Sequence, residues 1–176
     1  MPSTEEVIKQ IISRQKINSP IAVLMCGVAG SGKTTFAKEL EQFGFIRLSI
    51  DEEIWKTNGK YGIDFSPLEY EDLKETAEKK LRLELCMHVK NKKNTVVDFS
   101  FWQRQRRNEY KQLIEDGSGF WKLVYLKVPS HELRRRLAIR SKRFDANAAF
   151  PITEEILGSY LKGFEEPDGE GEIVIE

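Results

Sequence analysis

The stretch from Pro20 to Leu40, PIAVLMCGVAGSGKTTFAKEL, constrains the fold more than any other part of the chain. At its centre Gly27-Val28-Ala29-Gly30-Ser31-Gly32-Lys33-Thr34 matches G-x-x-x-x-G-K-[ST] in full. That pattern holds phosphate only when a buried strand leads into it and a helix leads out. Ile21 to Cys26 is an unbroken apolar run, as in a central parallel strand buried on both faces. Phe36, Ala37 and Leu40 then recur at helical spacing. Three glycines let successive N–H groups turn toward an anion without Cβ collisions, and the helix starting near Lys33 adds its positive end. Lys33 would place an ammonium against the β- and γ-phosphates of ATP, the Thr34 hydroxyl would coordinate Mg²⁺, and Thr35 would support the α-phosphate. The nucleotide-binding set is therefore Gly27, Val28, Ala29, Gly30, Ser31, Gly32, Lys33, Thr34 and Thr35.

The rest of the composition narrows the class. A chain of 176 residues is read as one domain, with residues 1–19 as a flanking helix. With 28 basic and 28 acidic residues, no overall field draws it to nucleic acid or an acidic membrane, so any basic site must be local. No apolar run is long enough to span a bilayer, and the start, MPSTEEVIKQII, carries acids where a secretion signal would carry bases. The expectation is a cytoplasmic protein, a monomer or weak dimer. Cys26 and Cys86 are too few for a disulfide framework and are expected to be free, buried thiols. His88 and His131 have no acid or cysteine at ligand spacing, which argues against a zinc site.

Taken in order, Val7, Ile8, Ile11 and Ile12 put an amphipathic helix over residues 4–16, packed on the domain or on a partner. Phe45 to Ile50 reads as a second strand and Asp51 to Trp55 as a helical turn. Ser66-Pro67-Leu68-Glu69 announces a helix to about Asn91, with a capping serine, proline at the first position and glutamate three residues after the cap. Strands follow at Thr95–Phe99 and Phe120–Val128, with a helix over Gln103–Glu115 between them. Ser130 and Thr153 cap two further helices, residues 141–152 form an irregular lid loop, and Glu172–Ile175 is a last strand. The alternation predicts an α/β fold: a five-stranded parallel sheet in the order 2-3-1-4-5, with helices on both faces.

In such a sheet ligands bind beyond the carboxyl ends of the strands, so polar residues just past a strand are site candidates. Asp51 could accept the proton of an attacking hydroxyl, or cap the following turn. Asp98 could hold metal-bound water or hydrogen-bond an acceptor. Phe99, Phe101 and Trp102 could wall the acceptor pocket or sit in the core. Arg136 and Arg140, four apart on one helix face at the lid, could close over the phosphates, with Arg134 and Arg135 on the surface.

These motifs in this order resemble the small P-loop kinases that group with zeta toxins, chloramphenicol phosphotransferase and the kinase domain of polynucleotide kinases. The resemblance covers roughly residues 20–175 and rests on GVAGSGKTT, Ser49-x-Asp51, VVDFSFW with Arg104 and Arg107 following, and Arg136-x-x-x-Arg140. It implies a P-loop NTPase fold, Asp51 as general base, and Arg136 and Arg140 on nucleotide phosphates or adenine. It also implies an adenine-proximal role for Phe164-Glu165-Glu166-Pro167. Ile54 departs from the arginine that polynucleotide kinases carry three residues after the base, which counts against a nucleic-acid acceptor. Apart from the resemblance, Arg104, Arg106 and Arg107 after the third strand could bind an acceptor phosphate, with Asp98 beside the acceptor.

The leading expectation is an ATP- and Mg²⁺-dependent kinase acting on a small-molecule hydroxyl. A nucleic-acid 5′-hydroxyl kinase and an ATPase switch acting on a protein partner are the alternatives. Between Glu52 and Cys86 nine acids face six bases, so the region expected to cover the acceptor should repel a polyanion.

Overall fold

The computed structural model describes residues 1–16 and 18–176. Five strands, β1 (Ile21–Cys26), β2 (Ile46–Leu48), β3 (Thr95–Val97), β4 (Phe120–Leu126) and β5 (Glu172–Ile175), form one sheet in the order β2-β3-β1-β4-β5. Every pairing is parallel, so each connection must cross over through a helix. All six residues of β1 are buried, which is why its sequence shows no polar alternation.

The two faces of the sheet hold separate cores. On one, Ile21, Val23 and Met25 of β1 meet α1 (Thr4–Ser13) and α2 (Lys33–Glu41). Val7, Ile8 and Ile11 of α1 lie in that core, each worth about 1.5–3 kcal/mol by burial. The apolar face of α1 is thus already covered, which removes the reading of this helix as a partner-binding element. On the other face, Ala22, Leu24 and Cys26 meet α4 (Tyr70–Lys90) and α5 (Arg104–Asp116). Burial pushes the Cys26 thiol up to about 12, so it behaves as a small apolar residue, while Cys86 is only half-buried.

Local chemistry sets the boundaries that position the site. The second strand is shorter than its apolar run suggests, because Ser49 caps α3 (Ile50–Asn58) by accepting the Glu52 N–H at 3.3 Å. A single 3-10 turn, Pro67–Glu69, precedes α4, with Ser66 and Glu69 forming a reciprocal capping box. The third strand stops at Val97, so Asp98 stands just beyond it. Beyond β4, α6 (Ser130–Arg140) leads into an irregular loop, residues 141–152, and α7 (Glu154–Gly163) follows, capped by Thr153. No helix among the described residues is long and apolar enough to cross a membrane.

Candidate functional site

The carboxyl ends of β1, β2 and β3 open into a cleft of about 910 Å³ lined by the glycine-rich loop, the starts of α3 and α4, the β3–α5 loop, α6, the lid loop and α7. Its phosphate end is built mainly from backbone. Gly27 has φ +148°, and a Cβ there would lie 2.6 Å from Ser31 Oγ, so the turn out of β1 excludes any side chain. Gly32, at φ +102°, stands at the N-cap of α2 without a side-chain cap, which leaves the first N–H groups of the helix facing the cleft.

Lys33 Nζ donates to the carbonyls of Gly27 (2.8 Å) and Val28 (3.1 Å), which places the ammonium across the mouth of the loop. Burial pulls its pKa down, and the charges of Asp98 and Asp51 work against that fall. Inside the loop the Ser31 hydroxyl is buried with no partner among the described residues. A cradle of inward N–H groups, a cation and an orphaned hydroxyl is what a polyphosphate would satisfy.

Thr34 and Asp98 come together at the floor of this end. The Thr34 hydroxyl donates to Asp98 Oδ2 at 3.0 Å, and the Asp98 side chain is 3% exposed. A hydroxyl beside a carboxylate under the loop is a donor set that suits a hard divalent cation such as Mg²⁺. The same Oδ2 also accepts from Arg47 Nε (2.9 Å) and Nη2 (2.8 Å). Arg47, in β2, was not singled out by the sequence reading. It lies two residues before Ser49, at the carboxyl edge where that reading placed its other candidates. Its side chain is 5% exposed and reaches Glu52 of α3 (3.1 Å) and Asn147 of the lid loop (2.7 Å) as well.

Asp51 lines the same cleft from the first turn of α3. Its carboxylate accepts no hydrogen bond from any described residue, and the cap of the helix is Ser49, so Asp51 is not held there as a cap. Burial raises its pKa, against the nearby positive charge of Arg140. Arg140 is half-buried, its own pKa lowered by burial, and its Nε donates to the Asn147 carbonyl at 2.9 Å. Arg136 donates to the Ser31 carbonyl (3.2 Å) and to Glu132 (2.7 Å), which puts it at the outer lip of the loop. Arg134 and Arg135 are exposed and pair with Glu154 and Glu132.

The lid loop is irregular, as its sequence implies, yet tied at several points. Asn147 bridges Arg47 and Glu52, donating to the latter at 2.9 Å. Phe150 stacks on Tyr70 of α4 with centroids 4.4 Å apart, and Phe144 meets Trp55 of α3 edge-on. The expected role of Arg107 needs correction. Arg107 is fully buried, its guanidinium on Glu170 (2.9 and 2.5 Å) and the Phe101 carbonyl (2.8 Å), and it does not line the cleft, so it is out of reach of an acceptor. In the Phe164–Pro167 segment, Phe164 stacks on Tyr125 and lines the cleft, while Glu165 N–H donates to the Trp102 carbonyl at 2.8 Å and the Glu165 carboxylate accepts from Arg104 N–H. Phe99 and Phe101 are core residues whose edges touch the cleft, whereas Trp102 is a true wall residue.

Comparison with known proteins agrees with this architecture. The fold of a proposed kinase from Chloroflexus aurantiacus J-10-fl matches with a TM-score of 0.69 at 16% identity, over 91% of this chain and 86% of that one. A gluconokinase from Sinorhizobium meliloti 1021 matches with a TM-score of 0.58 at 17% identity, over 91% and 83%. A chain of the Pnkp1/Rnl/Hen1 RNA repair complex matches with a TM-score of 0.59 at 19% identity over 87% of this chain; the match spans only 49% of that longer chain. No curated protein sequence matches. The profile of the AAA_33 family, described as AAA domain, matches residues 23–167, from the first strand past the lid and α7. With the phosphate loop, the sheet order and the lid in place, the chain belongs to the AAA_33 family of AAA domains and has the fold of the small P-loop kinases.

Proposed function

We propose that the protein is an ATP- and Mg²⁺-dependent kinase that phosphorylates a hydroxyl group of a small molecule, with Asp51 as general base. The observation that carries this reading is the Asp51 carboxylate: it accepts no hydrogen bond from a described residue and faces the cleft beside the phosphate loop. A switch that only hydrolyses ATP has no need of a roomy, aromatic-walled cavity next to that carboxylate.

In the proposed reaction the acceptor oxygen bonds to the γ-phosphorus while the bond from that phosphorus to the β-bridging oxygen breaks. The hydroxyl proton passes to Asp51, and ADP leaves with the electron pair. A pKa raised by burial makes Asp51 a stronger base while it is ionised. Lys33 and the loop N–H groups hold the β- and γ-phosphates, and Arg140 and Arg136 add positive charge on the lid side as negative charge spreads over the transferring group. Thr34 and Asp98 would hold Mg²⁺, directly or through water, and the ion when bound neutralises phosphate charge. The structural likeness to a gluconokinase and to a proposed kinase supports the reaction class without naming the acceptor.

The test is acceptor-dependent ADP release across a panel of hydroxylated compounds, run with the unaltered chain and with Asp51→Asn. Stimulated turnover that falls by about 10²–10⁴-fold in the variant, with ATP affinity kept, is the expected result. Labelling of 5′-hydroxyl oligonucleotides in place of small molecules would move the reading to a nucleic-acid end kinase. ATP hydrolysis that no acceptor stimulates and that survives in Asp51→Asn would overturn it.

A further inference from the structure

The two ends of the cleft carry opposite charge. Lys33, Lys38, Arg136, Arg140 and Arg143 gather around the phosphate loop and the lid. At the other end Asp51, Glu71, Asp72, Glu75 and Glu78 outnumber Lys74 and Arg106. Both of those cations are already engaged, and Glu75 pairs with Lys79 (2.6 Å), which leaves Asp51 and Asp72 as the acids of this wall without an ion pair among the described residues. Arg106 pairs with Glu78 and with Glu109 (3.3 Å), and Lys74 sits 3.1 Å from Glu71. With Arg107 locked in the core against Glu170, no lining arginine or lysine at this end is left to receive an acceptor's phosphate or carboxylate.

Two phenols complete this wall. Tyr70 is only 9% exposed, lines the cleft and has no hydrogen-bond partner for its hydroxyl among the described residues; Tyr160 of α7 is likewise unpartnered. Burial and the nearby carboxylates of Asp51 and Glu71 push both phenols up, so they remain neutral donors. Tyr160 meets Trp102 edge-on with centroids 5.5 Å apart, and both rings line the cleft along with Glu71 and Asp72 of α4. The structure also holds an internal example of what such a wall binds. Lys74 Nζ lies 5.3 Å from the Tyr70 ring centroid while paired with Glu71: an ammonium held between a π face and a carboxylate.

We propose that this end of the cleft is a subsite for a positively charged nitrogen, so that the acceptor is a hydroxylated amine or quaternary ammonium compound. The inference rests on the kinase reading and names the substrate class for it. The hydroxyl points at Asp51 and the cationic nitrogen lies against Tyr160 and Trp102, with Glu71 and Asp72 alongside. Where the nitrogen is an amine, the acids also keep it protonated, which withdraws its lone pair and leaves oxygen as the only nucleophile. The transferred phosphoryl group therefore ends on oxygen, and the proton lost is the hydroxyl proton.

Matched acceptors test this with the full chain: glucosamine against N-acetylglucosamine, choline against 3,3-dimethylbutan-1-ol, and ethanolamine against glycolate. Product is read by ³¹P NMR and ADP release, and binding by intrinsic tryptophan fluorescence. The expected result is kcat/KM at least about tenfold higher for the cationic member, with KM for that member raised about 3–30-fold in Glu71→Gln/Asp72→Asn and kcat retained. KM for N-acetylglucosamine and 3,3-dimethylbutan-1-ol should shift far less in that double substitution than KM for their cationic counterparts. Lys33-dependent ATP binding and hydrolysis combined with preference for a neutral or anionic member, or with no cationic member bound, would overturn the subsite while leaving the kinase reading intact. Loss of ATP binding altogether would overturn the kinase reading itself and this inference with it.

Discussion

At the phosphate end of the cleft the ligand-facing groups come from consecutive residues, Gly27 to Thr35, and most of them are backbone N–H groups whose direction is fixed by glycine dihedrals. At the proposed acceptor end they are side chains from α3, α4, the β3–α5 loop and α7, drawn from Asp51 to Tyr160 and held by packing between elements. The first arrangement is locally encoded and serves one chemistry, the holding of a polyphosphate. The second can be re-lined by changing single residues without disturbing the sheet, which is how one fold serves different acceptors. The two regions should therefore fail differently when altered: the phosphate end by losing nucleotide chemistry, the acceptor end by losing transfer or selectivity.

Asp51 stands where the two ends meet, and its substitution should produce the largest effect. Asp51→Asn is expected to lower phosphoryl transfer by about 10²–10⁴-fold at retained ATP affinity. The same variant should be more stable at neutral pH. Because burial raises the folded-state pKa above the unfolded one, the ionised carboxylate is disfavoured in the fold; that penalty is present above the folded pKa and vanishes below the unfolded pKa. Thermal melts should show Asn ahead at pH 7, with the gain fading as pH falls through the raised folded-state pKa and gone below the ordinary carboxylate range. A variant that melts lower at pH 7 would assign Asp51 a structural role and blur the contrast between the ends.

Lys33→Ala should act on the phosphate end alone, lowering turnover by about 10²–10³-fold at saturating ATP and Mg²⁺. Among the described residues its Nζ bonds only the Gly27 and Val28 carbonyls of the loop, so circular dichroism and the melting temperature should stay near those of the parent. Unchanged turnover would break the assignment of the loop.

Arg47→Ala sharpens the comparison, because Arg47 ties the phosphate end to the lid. It removes two of the three hydrogen bonds on Asp98 Oδ2 and leaves a carboxylate that is 3% exposed held by Thr34 alone. The expected loss is about 2–3 kcal/mol in denaturant unfolding, less than for a fully dry pair because the cleft admits water. Arg47→Lys should recover only part of it, since an ammonium cannot supply the Nε–Nη2 fork. Equal stability of all three chains would show that the network is decorative.

How much of this was legible in the sequence follows the same division. The phosphate loop was readable because its spacing is local, and the sheet order because parallel strands need right-handed crossovers that leave few arrangements. Arg47 was passed over because one arginine in a short strand looks like an ordinary solvent-facing alternation; its partners Asp98 and Asn147 lie 51 and 100 residues away. Arg107 was misassigned although a local signal existed. Arg107, Tyr110, Lys111 and Ile114 share the buried face of α5, a helical spacing that marks the arginine as interior before Glu170 is known. The acceptor wall was half readable: the acids of α4 could be counted, but their pairing with Lys74 and Arg106 depends on the fold.

The smallest expected effect concerns the lid. Asn147 receives Arg47 Nη2 at 2.7 Å, donates to Glu52 at 2.9 Å and offers its carbonyl to Arg140 at 2.9 Å, so it joins lid, β2, α3 and α6. Asn147→Ala removes the two side-chain bonds and keeps the backbone one. Phe150 on Tyr70 and Phe144 on Trp55 remain as anchors, so the loop should loosen without the domain unfolding. A local loss of about 1–2 kcal/mol corresponds to roughly 5–30-fold faster trypsin cleavage after Lys142 or Arg143 while opening stays in rapid equilibrium. A non-hydrolysable ATP analogue should slow cleavage in the unaltered chain, because phosphates near Arg136 and Arg140 give the lid a further contact. In Asn147→Ala that protection should persist but begin from a faster baseline. Equal cleavage of the two chains, with and without the analogue, would mean that the aromatic contacts and the Arg140–Asn147 carbonyl bond suffice to hold the lid and that Arg47 serves the phosphate end only.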